Sequence, residues 1–155
     1  MPAFISIGRF LFAILFVVAG AMHLFDLAGT TAAIAAKVAM PAELADYITQ
    51  LEGLSGMPMA KMLAIAVGAL ELIGGLLIAF NLGARFFAVL LALFVIAATF
   101  YFHDFWNEAW PDAKGNLIQA LKNLSLIGGL LMIAGIGRGP QAEMPAYTEP
   151  VSNNY

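Results

Sequence analysis

The sequence predicts an all-α integral membrane protein, a four-helix bundle with a short interfacial amphipathic helix between spans one and two. Of its 155 residues, 62% are hydrophobic and only 11% are charged, and the mean hydropathy is +0.89. A soluble domain of this size is closer to half apolar and a quarter charged. Four apolar runs also reach the roughly 20 residues that a helix needs to cross a bilayer. Lipid is therefore the expected solvent and the first expected partner.

The four predicted spans cover residues 4–25, 61–80, 84–103 and 117–136. Spans two and three are joined by a very short turn, so they form a tight antiparallel hairpin. Span one has features of a cleavable signal peptide, because it contains one basic residue, Arg9, and its small residues at 19–21 resemble a cleavage site. The run is long for a signal, and its polar residues match those of the other spans. We expect one membrane domain over residues 1–136 and a disordered, proline-rich tail over residues 137–155.

The connection between spans one and two predicts further helical structure. Residues 40–53 have the pattern of a helix with Pro41 at its first position and Gly53 as its stop. Its apolar side chains share one face, which we expect to lie on the membrane surface: Leu44, Tyr47, Ile48 and Leu51. This helix is either a plain surface helix or a lid over the adjoining mouth of the bundle. The preceding stretch, residues 30–39, predicts another short helix.

Charge and cysteine content exclude several classes of function. The net charge of -3 and the pI near 5.2 leave no basic patch, which argues against nucleic acid as a partner. The chain has no cysteine, which removes disulfides, thiolate metal sites and thiol redox chemistry. Arg9 and Arg85 act as anchors beside short connections on the side of the termini. We therefore expect both termini in the cytoplasm.

Each span carries one face of small, polar or charged residues among larger apolar ones. A lipid-facing surface has no use for such a stripe, whereas small residues let helices approach closely and buried polar groups need partners. We therefore expect the four stripes to face the interior of the bundle. They are Arg9, Ala13, Phe16, Gly20 and His23 in span one; Ala64, Gly68, Glu71, Gly75 and Ala79 in span two; Arg85, Ala92, Thr99 and His103 in span three; and Lys122, Ser125 and Gly129 in span four.

Glu71 lies about ten residues from either end of its span. A carboxylate in the middle of a membrane costs several kcal/mol unless it is protonated or paired. Lys122 and Arg9 are the candidate partners that the sequence offers. Two interpretations remain open, a structural pair that holds the bundle together and a functional group inside the membrane.

Polar residues also gather at the ends of the spans that lie opposite the termini. Together with Glu71 they form a candidate polar cluster of His23, His103, Asp104, Lys122 and Asn123, with Asp26 close by. The spacing contains no pair typical of metal ligands, so a metal ion is not favoured, and a heme between His23 and His103 has no further support. The remaining interpretations are an aromatic belt at the membrane surface and a pocket for a quinone head group.

Helical phase separates the two polar residues that end span three. His103 shares the inward stripe with Thr99, whereas Asp104 lies about 100° round the helix. His103 is therefore the better candidate for a site. Asp104 is expected to orient it or to anchor the interface.

Three stretches resemble the DoxX family of small bacterial inner-membrane proteins: GRFLFAILFVVAGAMHL, GALELIGGLLIAFNLGARFFAVLLALFVIAATFYFHDFW and LKNLSLIGGLLMIAG. The resemblance implies a four-helix protein of the inner membrane. Some relatives are associated with a membrane oxidoreductase complex containing superoxide dismutase and a sulfurtransferase, and others with thiosulfate:quinone oxidoreductase subunits. No agreed catalytic residues carry over from the family.

Three functional hypotheses follow. The first is a membrane subunit or scaffold in redox or sulfur metabolism or oxidative-stress defence, contacting quinone, redox proteins or a second copy of itself. Whether such a subunit is catalytic stays open. The second is a small proton-coupled transporter that uses Glu71. The third is a structural membrane protein with no activity of its own.

Overall fold

The computed structural model describes residues 2–136 as six α-helices with no strand among them. The predicted disordered tail, residues 137–155, lies outside the described residues. The helices are α1 (Pro2–Phe25), α2 (Leu27–Lys37), α3 (Ala45–Ser55), α4 (Met59–Ala79), α5 (Ala84–Phe102) and α6 (Ala113–Ile136). Of these, α1, α4, α5 and α6 are long and apolar enough to cross a membrane, which confirms the predicted four-span class.

The span boundaries differ from the predicted ones by a few residues. Helix α6 begins at Ala113, four positions earlier than expected, shortly after Pro111. Proline breaks a helix when it lies in the interior but is tolerated at the start. Pro111 therefore favours a helix that begins close after it. Helix α5 ends at Phe102, so that His103 follows the last turn with φ -126° and ψ 49°. The backbone of His103 is therefore not helical.

The short turn between α4 and α5 has the predicted hairpin form. Asn81 and Gly83 both adopt left-handed backbone conformations, with φ of 59° and 62°. Glycine takes this conformation without the steric cost that a Cβ atom brings, and asparagine is among the residues that tolerate it best. Two left-handed residues reverse the chain within a few positions, so α4 and α5 run antiparallel.

The predicted helix over residues 40–53 has different limits. A short 3-10 turn, Ala42–Leu44, comes first, and α3 then runs through Gly53 to Ser55. A single glycine inside a helix costs only about 1 kcal/mol. The helix ends instead at Gly56, whose φ of 67° is left-handed. The apolar side chains of Tyr47 and Leu51 are exposed. The interfacial position of α3 stays a prediction.

Helices α1 and α4 pack closely through glycines. A Cβ atom at Gly20 would collide with the backbone nitrogen of Leu72 and lie 2.6 Å from the carbonyl oxygen of Gly68. At Gly75, a Cβ atom would lie 3.0 Å from the backbone nitrogen of Val17. Small residues therefore bring the two backbones into contact, as in other membrane helix pairs. The predicted inward stripes of α1 and α4 both take part in this interface.

Helix α6 packs along α5, and its inward face agrees with the predicted one only at Gly129, which packs against Phe12 of α1. Arg85 on α5 donates hydrogen bonds to the carbonyl oxygens of Ala134 and Gly135 at the end of α6, at 2.9 and 3.2 Å. Near the other end of α6, Asn123 donates to the hydroxyl of Thr99 at 2.9 Å. Two members of the predicted stripe, Lys122 and Ser125, are exposed instead. The inward face contains Asn123, Leu126, Leu130 and Ile133.

Candidate functional site

A cavity of about 650 Å³ lies between the helices, and we call it the central cavity. Side chains from α1, α2, α4, α5 and α6 line it, together with His103 beyond the end of α5. Its walls are mostly apolar, including Phe16, Ile34, Val67 and Phe94. The polar residues that line it are His23, Thr30, Glu71, Tyr101, His103 and Asn123. Apolar walls with a few hydrogen-bonding groups are typical of small-molecule sites.

His23 is the partner of Glu71. The Nδ1 atom of His23 lies 2.5 Å from Oε2 of Glu71, a short hydrogen bond between two ionisable groups. The side chain of Glu71 is only 6% exposed, whereas that of His23 is 40% exposed. The predicted partners, Lys122 and Arg9, were therefore wrong. The pair buries its carboxylate and leaves the imidazole accessible from the cavity.

The relative heights of α1 and α4 explain this contact. Glu71 lies in the middle of α4, whereas His23 lies in the last turn of α1. At a rise of about 1.5 Å per residue, Glu71 is about 18 Å from the start of α4. Helix α4 therefore extends well beyond the end of α1, and α2 packs against this extension. We call the end of the bundle where α1 ends and α6 begins the far end.

The backbone is interrupted next to His23, between α1 and α2. The Asp26 side chain caps α2 by accepting a hydrogen bond from the backbone N–H of Gly29 at 3.0 Å. The hydroxyl of Thr30 lies 3.1 Å from the carbonyl oxygen of His23 and 2.9 Å from that of Asp26. These contacts satisfy polar groups that a helix break exposes. The interruption next to His23 is therefore a well-formed structure that fixes the backbone of the residue that contacts Glu71.

A second polar group lines the cavity from the end of α5. The Nδ1 atom of His103 lies 3.4 Å from the side-chain oxygen of Asn116, and Asn116 donates to Glu108 at 2.8 Å. Asn116 and Glu108 lie outside the cavity wall, towards the surface. The cavity thus has two polar poles, the His23–Glu71 pair and His103. Within residues 2–136, no three His, Asp or Glu side chains come close enough to share a metal ion.

Helix α2 forms one wall of the central cavity and is tied down at its end. Lys37 lies 3.4 Å from the carboxylate of Asp104, which links the last turn of α2 to the segment after α5. Asp104 itself does not line the cavity. Of the two interpretations of the helix over residues 40–53, a surface helix or a lid, the lid gains no support, because α3 contributes no residue to this cavity. A smaller cavity of about 420 Å³ lies between α2 and α3.

The predicted site residues separate into two groups. His23, Glu71, His103 and Asn123 line the one cavity, whereas Lys122 is exposed and Asp104 binds Lys37. The two arginines lie elsewhere. Arg85 caps the end of α6, and the Nε atom of Arg9 is buried without a hydrogen-bond partner among the described residues.

Sequence reasoning missed three residues that contribute to the site: Thr30, Tyr101 and Asn116. Thr30 follows Asp26 by four positions, and the Asp-x-x-Gly-Thr pattern is a helix-start signal. Tyr101 stands in the aromatic stretch at the end of span three, a pattern that by itself indicates a belt at the membrane surface. For Asn116, nothing in the sequence indicates that it approaches His103.

Comparison with known proteins assigns the family. The DoxX family model matches residues 4–104, about two thirds of the chain. The chain belongs to the DoxX family. It is also similar to the inner membrane protein YphA of Escherichia coli (strain K12), with 24% identity over 138 residues that cover 89% of this chain and 86% of the relative. No solved structure matches. The family resemblance seen in the sequence is therefore confirmed, and with it a multi-pass membrane protein.

Proposed function

We propose that this protein is a bacterial inner-membrane component of a redox or sulfur-metabolism system that binds the head group of a lipid-soluble quinone in the central cavity. The observation that carries this proposal is the cavity itself, whose volume of about 650 Å³ combines apolar walls with the His23–Glu71 pair and His103. A ring with opposed polar groups and an apolar tail matches such a lining. We assign electron transfer to a partner oxidoreductase and binding with proton exchange to this chain.

The chemistry of the His23–Glu71 pair suits proton exchange. With one proton between them, the two groups are either carboxylate and imidazolium or carboxylic acid and imidazole, and both forms are neutral overall. A neutral pair avoids the cost of an isolated charge inside a membrane. Because the imidazole is accessible and the carboxylate is not, His23 is the member that exchanges the proton with a ligand.

The inner-membrane location is supported by the name of the similar Escherichia coli protein. The cytoplasmic position of the termini stays a prediction from the arginines beside short connections. The extent of the membrane domain, residues 1–136, also stays a prediction, since the family model ends at residue 104.

A second candidate is a proton-coupled carrier that uses Glu71. The helix break at Asp26 beside the His23–Glu71 pair favours it, because interrupted helices line the substrate sites of many transporters. Flux measured in proteoliposomes separates the two functions. A carrier loses pH-coupled flux of its solute in the Glu71→Gln variant, whereas a quinone-binding subunit carries no such flux in either form.

The first test is gentle purification from the native membrane, followed by analysis of bound lipids and proteins. We expect a quinone and at least one oxidoreductase subunit to accompany the protein. The second test is titration of the purified protein in nanodiscs with duroquinol and duroquinone, followed through quenching of Trp106 and Trp110. These are the two tryptophans of the chain, and both lie in the segment that follows His103.

Two matched variants show whether binding occurs in the central cavity. Ala98→Phe places a ring inside the cavity, because Ala98 lines it, and should weaken binding at least tenfold. Ala66→Phe makes the same change at an exposed position of α4 outside the cavity and should leave binding intact. Equal affinity in all three proteins, or no binding to any of them, refutes the proposed quinone site. A protein that folds normally but binds no quinone, purifies with no partner and carries no flux would support a structural role instead.

A further inference from the structure

The two polar poles of the central cavity differ in one respect: the partners of His103 fix which of its ring nitrogens donates and which accepts, whereas those of His23 do not. At His103, a chain of contacts leads from the cavity to the surface through Asn116 and Glu108. The ionised carboxylate of Glu108 accepts hydrogen bonds and donates none. The Asn116 atom that lies 2.8 Å from it is therefore the amide nitrogen, which donates. This contact leaves the oxygen of the same amide facing His103.

The orientation of Asn116 then selects the form of the His103 ring. A neutral histidine carries its proton on only one nitrogen, and the other nitrogen is an acceptor. An amide oxygen 3.4 Å from Nδ1 favours the proton on Nδ1, because the alternative places two lone pairs against each other. The contact is longer than a typical hydrogen bond, but it needs only to favour one tautomer over the other.

The remaining nitrogen of His103 is available to a ligand. Within residues 2–136, Nε2 makes no hydrogen bond, and the His103 side chain lines the central cavity. We propose that Asn116, oriented by Glu108, holds His103 in the Nδ1–H tautomer, so that Nε2 accepts a hydrogen bond from a hydroxyl group of the cavity ligand. This inference rests on the proposed function and adds the chemical class of the ligand, a hydroquinone rather than a quinone.

The other pole, the His23–Glu71 pair, can form a hydrogen bond with either the quinone or the hydroquinone. The His23 Nδ1 atom contacts Glu71, so Nε2 of His23 carries a proton when the pair holds one and is an acceptor when the pair has lost it. His103 lacks an ionisable partner at Nδ1, because Asn116 is an amide. The fixed pole therefore selects the ligand, and the variable pole exchanges the proton. Asn116 is a positioning residue in this scheme, and His103 is the residue that contacts the ligand.

Nitrogen NMR of protein labelled at its histidine rings measures the tautomer directly. The chain has only two histidines, so spectra of the His23→Gln variant assign the signals of His103. At a pH where the ring is neutral, we expect His103 to be protonated on Nδ1. Asn116→Leu removes the acceptor and should produce a mixture of tautomers.

Two further variants sharpen the comparison. Glu108→Gln changes an exposed residue. A glutamine side chain both donates and accepts, so the amide of Asn116 can then present either its oxygen or its nitrogen to His103. We expect a mixture of His103 tautomers and an intact fold. Asn107→Leu removes a neighbouring asparagine that donates to Asp104 and should leave His103 unchanged. A His103 ring that is protonated on Nε2 in the native protein overturns the inference. An identical tautomer in the native and Asn116→Leu proteins also overturns it.

Ligand affinity tests the second half of the inference. Native protein should bind duroquinol about tenfold more tightly than duroquinone, and Asn116→Leu should reduce this preference. Equal or tighter binding of duroquinone overturns the hydroxyl assignment, even if the tautomer is as expected. If neither compound binds, the proposed function and the ligand class both fail, and the NMR spectra alone decide the role of Asn116.

Discussion

The His23–Glu71 contact predicts an asymmetric effect of removing either partner. His23→Leu leaves a carboxyl group that is only 6% exposed without its partner, whereas Glu71→Leu leaves an imidazole that is 40% exposed and lines the central cavity. A hydrogen bond to a charged group is worth about 1.5–3 kcal/mol, and an unpaired buried polar group costs about 1–3 kcal/mol. We expect His23→Leu to lower the free energy of unfolding by about 2–3 kcal/mol and Glu71→Leu by less than about 1.5 kcal/mol.

The double variant provides the decisive comparison. With both groups replaced by leucine, the unpaired carboxyl group is gone, so the loss should be close to that of Glu71→Leu alone. Unfolding with sodium dodecyl sulfate in mixed micelles, followed through tryptophan fluorescence, gives the three free energies. Additive losses, or an equal loss in both single variants, would refute the pairing. Lys122→Leu is the control, because Lys122 is exposed and should show no coupling to Glu71.

Two other contacts lead to measurable expectations. Gly20→Ala should destabilise the protein by about 1–3 kcal/mol, because its Cβ atom meets the backbone of α4, whereas Gly8→Ala in the same helix has nothing within 4 Å and should be neutral or slightly stabilising in the same unfolding assay. Lys37→Ala should free the end of α2 and speed thiol labelling of an Ile34→Cys protein about two- to fivefold, because Ile34 is only 6% exposed and lines the central cavity. High salt should have a similar effect on the protein that keeps Lys37. An unchanged labelling rate in both conditions would show that the ion pair with Asp104 does not hold α2 against the cavity.

The interior faces of α1 and α4 were predictable from helical phase. In both helices, small or charged residues occupy one face and bulky apolar residues occupy the others. Gly20, Gly68 and Glu71 differ sharply in size or charge from the leucine, isoleucine and phenylalanine side chains around them. For α6 the same reasoning held at Gly129, which packs against Phe12, but was wrong at Lys122 and Ser125. There, Lys122 and Ser125 lie one or two positions from Asn123, and a leucine-rich helix offers several faces that pack equally well. Polarity alone does not choose among them.

The partner of Glu71 was not predictable because it depends on the vertical offset between two helices. Counting residues places Glu71 in the middle of its own helix and His23 at the end of another, which suggests that they are far apart. The glycines contain the missing information. Gly20 on α1 meets Glu71 and Leu72 on α4, and Gly68 on α4 meets Leu24, about one helical turn further along α1. Glu71 is therefore level with Gly20, about one turn before His23, and because helical side chains lean toward the N-terminus of their own helix, the side chains of these antiparallel helices lean toward each other.

The packing around the central cavity explains how one polar pair can be both fixed and accessible. On one side, backbone contact between α1 and α4 through Gly20 prevents Glu71 from moving away from His23. On the other side, α4 and α5 are joined by the tight turn at Gly83, yet residues of both helices line the cavity towards the far end. Glu71 has His23 as its polar partner in place of water, and the imidazole of His23 faces the cavity, where it can exchange a proton. If Gly20→Ala separates the helices, proton exchange and stability should fall together, whereas Ala98→Phe should block the cavity and leave the pair intact.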